Sequence, residues 1–186
     1  MSNPTLQVIV ASTRPRRVGR MVADYIGERL ADHGGFDIEM VDLAEVSLPL
    51  LDEPHHPRLG RYEHEHTKAW SATISRGDAY LIVMPEYNHS FSAPLKNALD
   101  YLNTEWRGKP VAVASYGGIS GGTRAAAAIT EVLVTLGMIV SSVGIAIPMV
   151  QSHLADGRFT GYPQADHTIE ATHAALLELT HGRNAG

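Results

Sequence analysis

Ser12, Thr13, Arg14, Arg16, Arg17 and Arg20 crowd hydroxyl and guanidinium groups into one short turn, Ala11-Ser12-Thr13-Arg14-Pro15-Arg16-Arg17-Val18-Gly19-Arg20. Guanidinium groups match the oxygens of a phosphate bidentately, and the two hydroxyls can donate to them. The turn leads into a helical pattern, so free N–H groups and the positive end of a helix dipole would face the same ligand. Taken alone, the residues fit an anion site and a solvated basic turn with a serine cap about equally. The turn lacks the Gly-Lys-Ser/Thr of a nucleotide P-loop. It is also not a Gly-x-Gly-x-x-Gly dinucleotide fingerprint, because only Gly19 is present.

Two further stretches could meet that turn. Leu81-Ile82-Val83-Met84 is an unbroken apolar run that stops at Pro85 and then presents Glu86, Tyr87 and Asn88. No polar alternation interrupts it, so both faces of the strand should be covered, and proline should end the ladder. Backbone N–H groups of this loop could reach the polar edge of a flat ring, with Tyr87 as an aromatic wall. Ser115-Tyr116-Gly117-Gly118-Ile119-Ser120-Gly121-Gly122 holds four glycines, which let backbone approach a planar ligand. Gly117 and Gly118 are expected at the pyrimidine side of such a ring.

Competing chemistries are thinner. Gly118-Ile119-Ser120-Gly121-Gly122 formally fits the Gly-x-Ser-x-Gly elbow of serine hydrolases, with His153, His167 or His173 as base and Asp156 or Asp166 behind it. Yet Ser120 lies several residues past the strand, and no spacing singles out one histidine. His55-His56 and His64-Glu65-His66 lack the i, i+4 geometry of a helical zinc pair, so no metal site is expected and these side chains read as solvated or interfacial. Lys96 and Asp100, four apart, read as a surface pair or a contact with a neighbour. With no cysteine there is no thiolate, disulfide or iron–sulfur cluster, and any redox chemistry must come from a bound cofactor.

The elements that must position these residues follow from periodicity. Leu6 to Ala11, Phe36 to Leu43, Ala79 to Met84, Val111 to Ser115 and Met138 to Ile147 read as strands. Val18, Met21, Val22, Tyr25, Ile26 and Leu30 form a helical stripe closed by Gly34-Gly35. Further helices are expected around Tyr62 to Arg76, Ser92 to Leu102, Ala125 to Leu136 and Asp166 to Leu179. Strands alternating with helices specify an α/β fold: a flavodoxin-like three-layer sandwich, with a five-stranded parallel sheet in the order 2-1-3-4-5 and helices on both faces. Ligands of such sheets sit beyond the carboxyl ends of strands one and three, which places the arginine turn beside Pro85 to Ser90.

At 186 residues and 44% hydrophobic content, one domain spanning residues 1–186 is expected. A net charge of −5 gives no general attraction for nucleic acid. No apolar run reaches the roughly 18 residues of a membrane span, and the start carries no signal-like segment, so a soluble cytoplasmic protein without a membrane partner is expected. The connection from Glu45 to Arg61, with Pro49, Pro54 and Pro57 and an apolar Leu48-Pro49-Leu50-Leu51 cluster, is too long for a simple turn. It is expected to be ordered against a partner subunit.

A phosphate site at one end and a ring site at the other describe a mononucleotide of flavin size. At this point the chain resembles the NADPH-dependent FMN reductase family, flavodoxin-like enzymes that include quinone, azo-dye and chromate reductases. The resemblance rests on Ser12-Thr13-Arg14, on Pro85-Glu86-Tyr87-Asn88 running into Pro94-Leu95-Lys96-Asn97-Ala98-Leu99-Asp100, and on Ser115-Tyr116-Gly117-Gly118. It implies FMN as cofactor, NADPH or NADH as electron donor, a small-molecule acceptor, and a homodimer or dimer of dimers. It also implies that Ser12 and Arg14 bind the FMN phosphate, with backbone at Val18 and Gly19 completing the cradle. The commoner family turn is Ser-x-Arg-x-x-Ser-x-Asn, and Arg17 and Gly19 stand here where Ser and Asn would.

The expected reaction is ping-pong hydride transfer through the flavin, with no protein acid or base. The candidate cofactor-binding set is Ser12, Thr13, Arg14, Val18, Gly19, Arg20, Pro85, Glu86, Tyr87, Asn88, Ser115, Tyr116, Gly117 and Gly118. A flavodoxin-type electron carrier is the binding-module alternative, and the arginine-rich turn argues against it.

Overall fold

The computed structural model describes residues 3–184. Its sheet is built from β1 (Thr5–Val10), β2 (Asp37–Asp42), β3 (Ala79–Pro85), β4 (Pro110–Tyr116) and a divided fifth strand, β5 (Ile139–Val140) and β6 (Ile145–Ile147). The order is β2-β1-β3-β4-β5, with β6 also on β4, and every pair in this sheet is parallel. The principal crossovers are α1 (Gly19–His33), α3 (Glu65–Arg76), α4 (Ala93–Asp100) and α5 (Thr123–Thr135), and α6 (Ala165–Asn184) follows the last strand.

The central strand shows why the helices divide between two faces. Ala79, Leu81 and Val83 of β3 join an apolar layer with Val22, Ile26 and Leu30 of α1 and with Ile169 and Leu176 of α6. Tyr80, Ile82 and Met84, pointing the other way, pack with Trp70 and Ile74 of α3, Leu95 and Leu99 of α4, and Ile129 and Leu133 of α5. All seven residues of β3 are buried, as an apolar run without alternation requires.

Four details differ from the sequence reading. β3 does not stop before Pro85: Pro85 stays in register with Tyr116, and Glu86 N–H still donates to the Tyr116 carbonyl. Pro85 has no N–H to give to the Ala11 carbonyl opposite it, and the buried Ser92 hydroxyl donates to that carbonyl in its place. The fifth strand is interrupted at Ser141 to Gly144. There Ser141 Oγ bonds the backbone of Val143, and a Cβ on Gly144 would stand 2.7 Å from the Val113 carbonyl. The second strand ends at Asp42, whose carboxylate accepts Ala44 N–H and starts a short helix, α2 (Leu43–Val46). A hairpin, β7 (Leu154–Ala155) and β8 (Arg158–Phe159), turns through Asp156 and Gly157, both at positive φ. Asp-Gly is the residue pair such a turn favours.

The long connection is held by its own chain. Asn97 bonds both Leu51 N–H and the Pro49 carbonyl, Tyr101 donates to Asp52, and Glu53 accepts the N–H groups of Glu63 and His64. Leu50 and Leu59 nevertheless remain exposed, Leu50 at 84%. No helix among the described residues is long and apolar enough to cross a membrane.

Candidate functional site

β1 delivers the first half of the site. Ala11 N–H still pairs with the Val83 carbonyl, after which the chain leaves the sheet and buries Ser12 completely. The Ser12 hydroxyl lies beside that of Tyr116 but makes no hydrogen bond of proper geometry among the described residues. A buried hydroxyl left unpaired is costly, and such groups mark places where a ligand belongs. Next to it α1 begins without a side-chain cap at Val18 and without an acidic residue in its first turn, so its leading N–H groups remain open. Gly19 is sterically required there: a Cβ would lie 2.3 Å from Ser12 Oγ and 2.4 Å from the Tyr116 hydroxyl.

The four arginines of the turn separate into two pairs. Arg17 donates to the Ser12 carbonyl and pairs with Asp42, a carboxylate only 2% exposed. Arg20 pairs with Asp24, Asp42 and Glu45, which draws it away from the turn's ligand side. Arg14 lies over the Tyr87 ring, its guanidinium carbon 5.6 Å from the ring centre. Arg16, at φ 58°, has no side-chain hydrogen bond or ion pair among the described residues.

β3 delivers the second half. Tyr87 and Ser90 exchange both backbone bonds across a tight turn in which Asn88 and His89 have φ of 50° and 67°. Glu86 N–H and Tyr87 N–H are thereby engaged within the chain, and Pro85 has none. That leaves this loop the N–H groups of Asn88 and His89, and neither residue lines the cavity between the strand ends, so the ring-edge donors expected here are not found in this loop.

The Glu86 side chain turns to α5. Its carboxylate, 8% exposed, accepts Arg124 N–H at 3.2 Å, Arg124 Nε at 2.9 Å and the Ser120 hydroxyl at 3.2 Å. Burial works against the ionised form. The Arg124 and Ser120 bonds outweigh it and hold the carboxyl below the usual carboxylate range.

β4 and the end of the fifth strand complete the wall. Ser115 Oγ is bonded to the Gly121 carbonyl, and Gly121 and Gly122 hold positive φ against Ile147 and Ser115. Two of the four glycines thus serve the turn, while a Cβ on Gly118 would meet nothing within 4 Å. Met149 N–H and Val150 N–H donate to the Gly118 and Gly117 carbonyls, which lays residues 149–151 along the rim. Burial pushes the Tyr116 phenol well above its ordinary range, so it stays protonated.

These parts enclose a cavity of about 470 Å³. It brings together Arg14, Val18, Pro85, Glu86, Tyr87, Tyr116, Gly117 and Gly118 of the expected set. Ser12 and Gly19 are not in its lining but pack against the hydroxyl of Tyr116, which is, and Ser115 lines a different hollow with Val113, Thr123 and Ala126. Thr13 faces a separate hollow with Leu43, Leu48 and Pro94, and Arg20 and Asn88 do not line the cavity. Met149, Val150 and Gln151 were not anticipated, although Pro148 after the last strand marks a third strand end there. A larger hollow of about 670 Å³ lies against α1, β2 and the β7–β8 hairpin, where no uncapped helix end converges on it.

The hydrolase reading finds no support in the geometry. Ser120 donates to Glu86, and no histidine hydrogen-bonds it among the described residues. His173 bonds the Gly34 carbonyl, His66 pairs with Asp52 and His55 with Glu63. No group of three side chains suited to a metal ion occurs among the described residues. Lys96 and Asp100 form a surface ion pair.

A family model described as NADPH-dependent FMN reductase matches residues 4–151. The chain is 44% identical over 121 residues to an NAD(P)H-dependent FMN reductase of Schizosaccharomyces pombe, covering 64% of this chain and 60% of that relative. It is 34% identical over 155 residues to an NAD(P)H-dependent FMN reductase of Saccharomyces cerevisiae, covering 76% and 80%. Among solved structures, the flavoenzyme NAD(P)H:(acceptor) oxidoreductase of Paracoccus denitrificans superposes with a TM-score of 0.75 at 23% identity, over 97% of this chain and 98% of that one.

Proposed function

The chain belongs to the NADPH-dependent FMN reductase family, and on that footing we propose that it is an NAD(P)H-dependent, FMN-binding oxidoreductase acting on a small acceptor: free flavin, a quinone, an azo compound or a metal oxyanion. The observation that carries this reading is the fully buried, unpartnered Ser12 hydroxyl beside the uncapped start of α1. A phosphate is the ligand that such a group and such a helix end fit together. When bound, FMN would supply the redox chemistry, taking hydride from the nicotinamide and yielding it to the acceptor.

The chain's own residues bind and orient. Ser12, Arg14 and the amides at Val18 and Gly19 would hold the phosphate, and Tyr87, Gly117 and Gly118 would line the ring. Arg17 also lines the cavity, but its guanidinium is committed to Asp42 and the Ser12 carbonyl, so it shapes the turn. Arg16 is left for the phosphate of the donor dinucleotide. No side chain in the cavity is assigned as a proton donor. One open face serves donor and acceptor in turn, which makes the kinetics ping-pong. The exposed leucines of the long connection support a homodimer, or a dimer of dimers, built there. The cytoplasm, where its nicotinamide donor circulates, is the place proposed for it.

The purified protein is expected to bind FMN with visible flavin absorbance that NADPH bleaches without oxygen. A protein that neither takes up FMN nor lets NADPH reduce it would refute the proposal.

A further inference from the structure

Resting on that reading, we propose that the Glu86–Arg124 pair sets the electron affinity of the flavin in the cavity, with Glu86 as the resident counter-anion to the positive end of α5. Gly117, which lines the cavity beside Glu86, packs directly on this helix end: a Cβ there would lie 3.4 Å from Gly122 N and 3.5 Å from Glu86 Cβ. α5 runs for 13 residues, and its cap position is Gly122, which has no side chain to offer. Its first turn holds no acidic residue. A helix end of this kind carries roughly half a positive charge, and Arg124 adds a whole one. Among the described residues the only carboxylate bonded to either is Glu86, which arrives from the end of β3, accepts Arg124 N–H and Nε, and is 8% exposed.

The consequence is electrostatic and has a sign. Reduction places negative charge on the isoalloxazine, and charges near the ring tune that step. Neutralising Glu86 leaves Arg124 and the helix end unopposed behind Gly117, which favours the reduced flavin. Neutralising Arg124 leaves the carboxylate less compensated, which disfavours it. Arg124 is half exposed, so solvent weakens its share. A part played only in holding the 117–122 turn has no such sign: loss of either partner would loosen the same loop.

The test is the midpoint potential of the FMN-loaded protein, measured by anaerobic dye equilibration for the unaltered chain, Glu86→Gln, Arg124→Gln and the double variant. Glu86→Gln is expected to favour reduction about tenfold, a rise of roughly 30 mV for a two-electron couple. Arg124→Gln should shift the potential downward by less, and the double variant should return close to the starting value. Potentials that do not move, or that move in the same direction for both single variants, overturn the proposal. If Glu86→Gln does not fold, Arg124→Gln decides alone, and an unchanged or raised potential rejects it. An unaltered protein that takes up no FMN refutes the flavin reading itself and this proposal with it. A loaded protein with insensitive potentials refutes only this proposal.

Discussion

The guanidinium carbon of Arg14 lies 5.6 Å from the centre of the Tyr87 ring, so the turn after β1 and the loop after β3 touch across the cavity mouth. A cation over an exposed ring contributes about 0.5–1 kcal/mol, whereas a charge-assisted bond to phosphate is worth about 1.5–3 kcal/mol. Arg14→Ala should therefore weaken FMN roughly tenfold to a hundredfold while riboflavin, which has no phosphate, loses little. Fluorescence titration of both flavins checks this. An equal loss for riboflavin would assign Arg14 to the ring instead.

Ser12→Ala separates ligand binding from folding. The hydroxyl is buried and unpaired, so its removal should leave the flavin-free protein as stable as before or more stable by about 1 kcal/mol. FMN affinity should drop by roughly tenfold or more over the same change. Urea unfolding of the flavin-free protein and a binding titration read the two effects, and a clear loss of stability would contradict the account.

Arg16→Ala tests donor recognition. Because Arg16 has no side-chain bond to lose among the described residues, folding and FMN content should not change. KM for NADPH should rise about tenfold, as loss of one charged hydrogen bond implies, and KM for NADH should stay put. Binding of 2′,5′-ADP against 5′-AMP gives the same comparison at equilibrium. Equal effects on both nucleotides would remove Arg16 from donor selection.

Lys109 gives a pH signature. Burial, with a smaller push from Arg183, lowers its pKa to about 8, although the ammonium caps α3 through the Ile74 and Ser75 carbonyls. Between about pH 8 and the ordinary lysine value near 10.5 the unfolded chain binds the extra proton, so stability should rise with pH across that window and fall as pH drops through 8. Lys109→Met should flatten the rise. Tyr80 and Tyr116, held protonated by burial, act in the opposite direction, but only above about pH 10. Denaturant midpoints from pH 7 to 10 are the measurement.

Light scattering tests the proposed interface. The unaltered protein is expected at two or four times its 20.1 kDa chain mass, and Leu50→Asp, at a side chain 84% exposed, should reduce it. An unchanged mass would place the interface elsewhere.

Much of this molecule is readable one residue at a time, and the exceptions share a cause. The apolar run of β3, the stripe of α1 and the arginine turn are local patterns, and each became the expected element. What local pattern could not convey is which charges meet across the fold. Arg17 and Arg20 are claimed by Asp42, more than twenty residues away, and Glu86 by Arg124, 38 residues on. Residues so far apart show no spacing rule, so these pairings could not be read from the sequence. The division of the fifth strand is likewise tertiary, since Gly144 must clear a carbonyl of β4. The Asp156-Gly157 hairpin, by contrast, is a local turn pair that the sequence reading passed over.

The divided fifth strand also bears on how the protein behaves when crowded. An open sheet ends in two unpaired rows of backbone donors and acceptors, and a long flat edge invites another chain to add a strand. Here one edge consists of runs of two and three residues separated by the Ser141 to Gly144 detour, too short to template a neighbour. The other edge, β2, carries Asp37 and Glu39, whose charges repel a matching strand. A short, divided edge of this kind offers a neighbouring chain little backbone to extend.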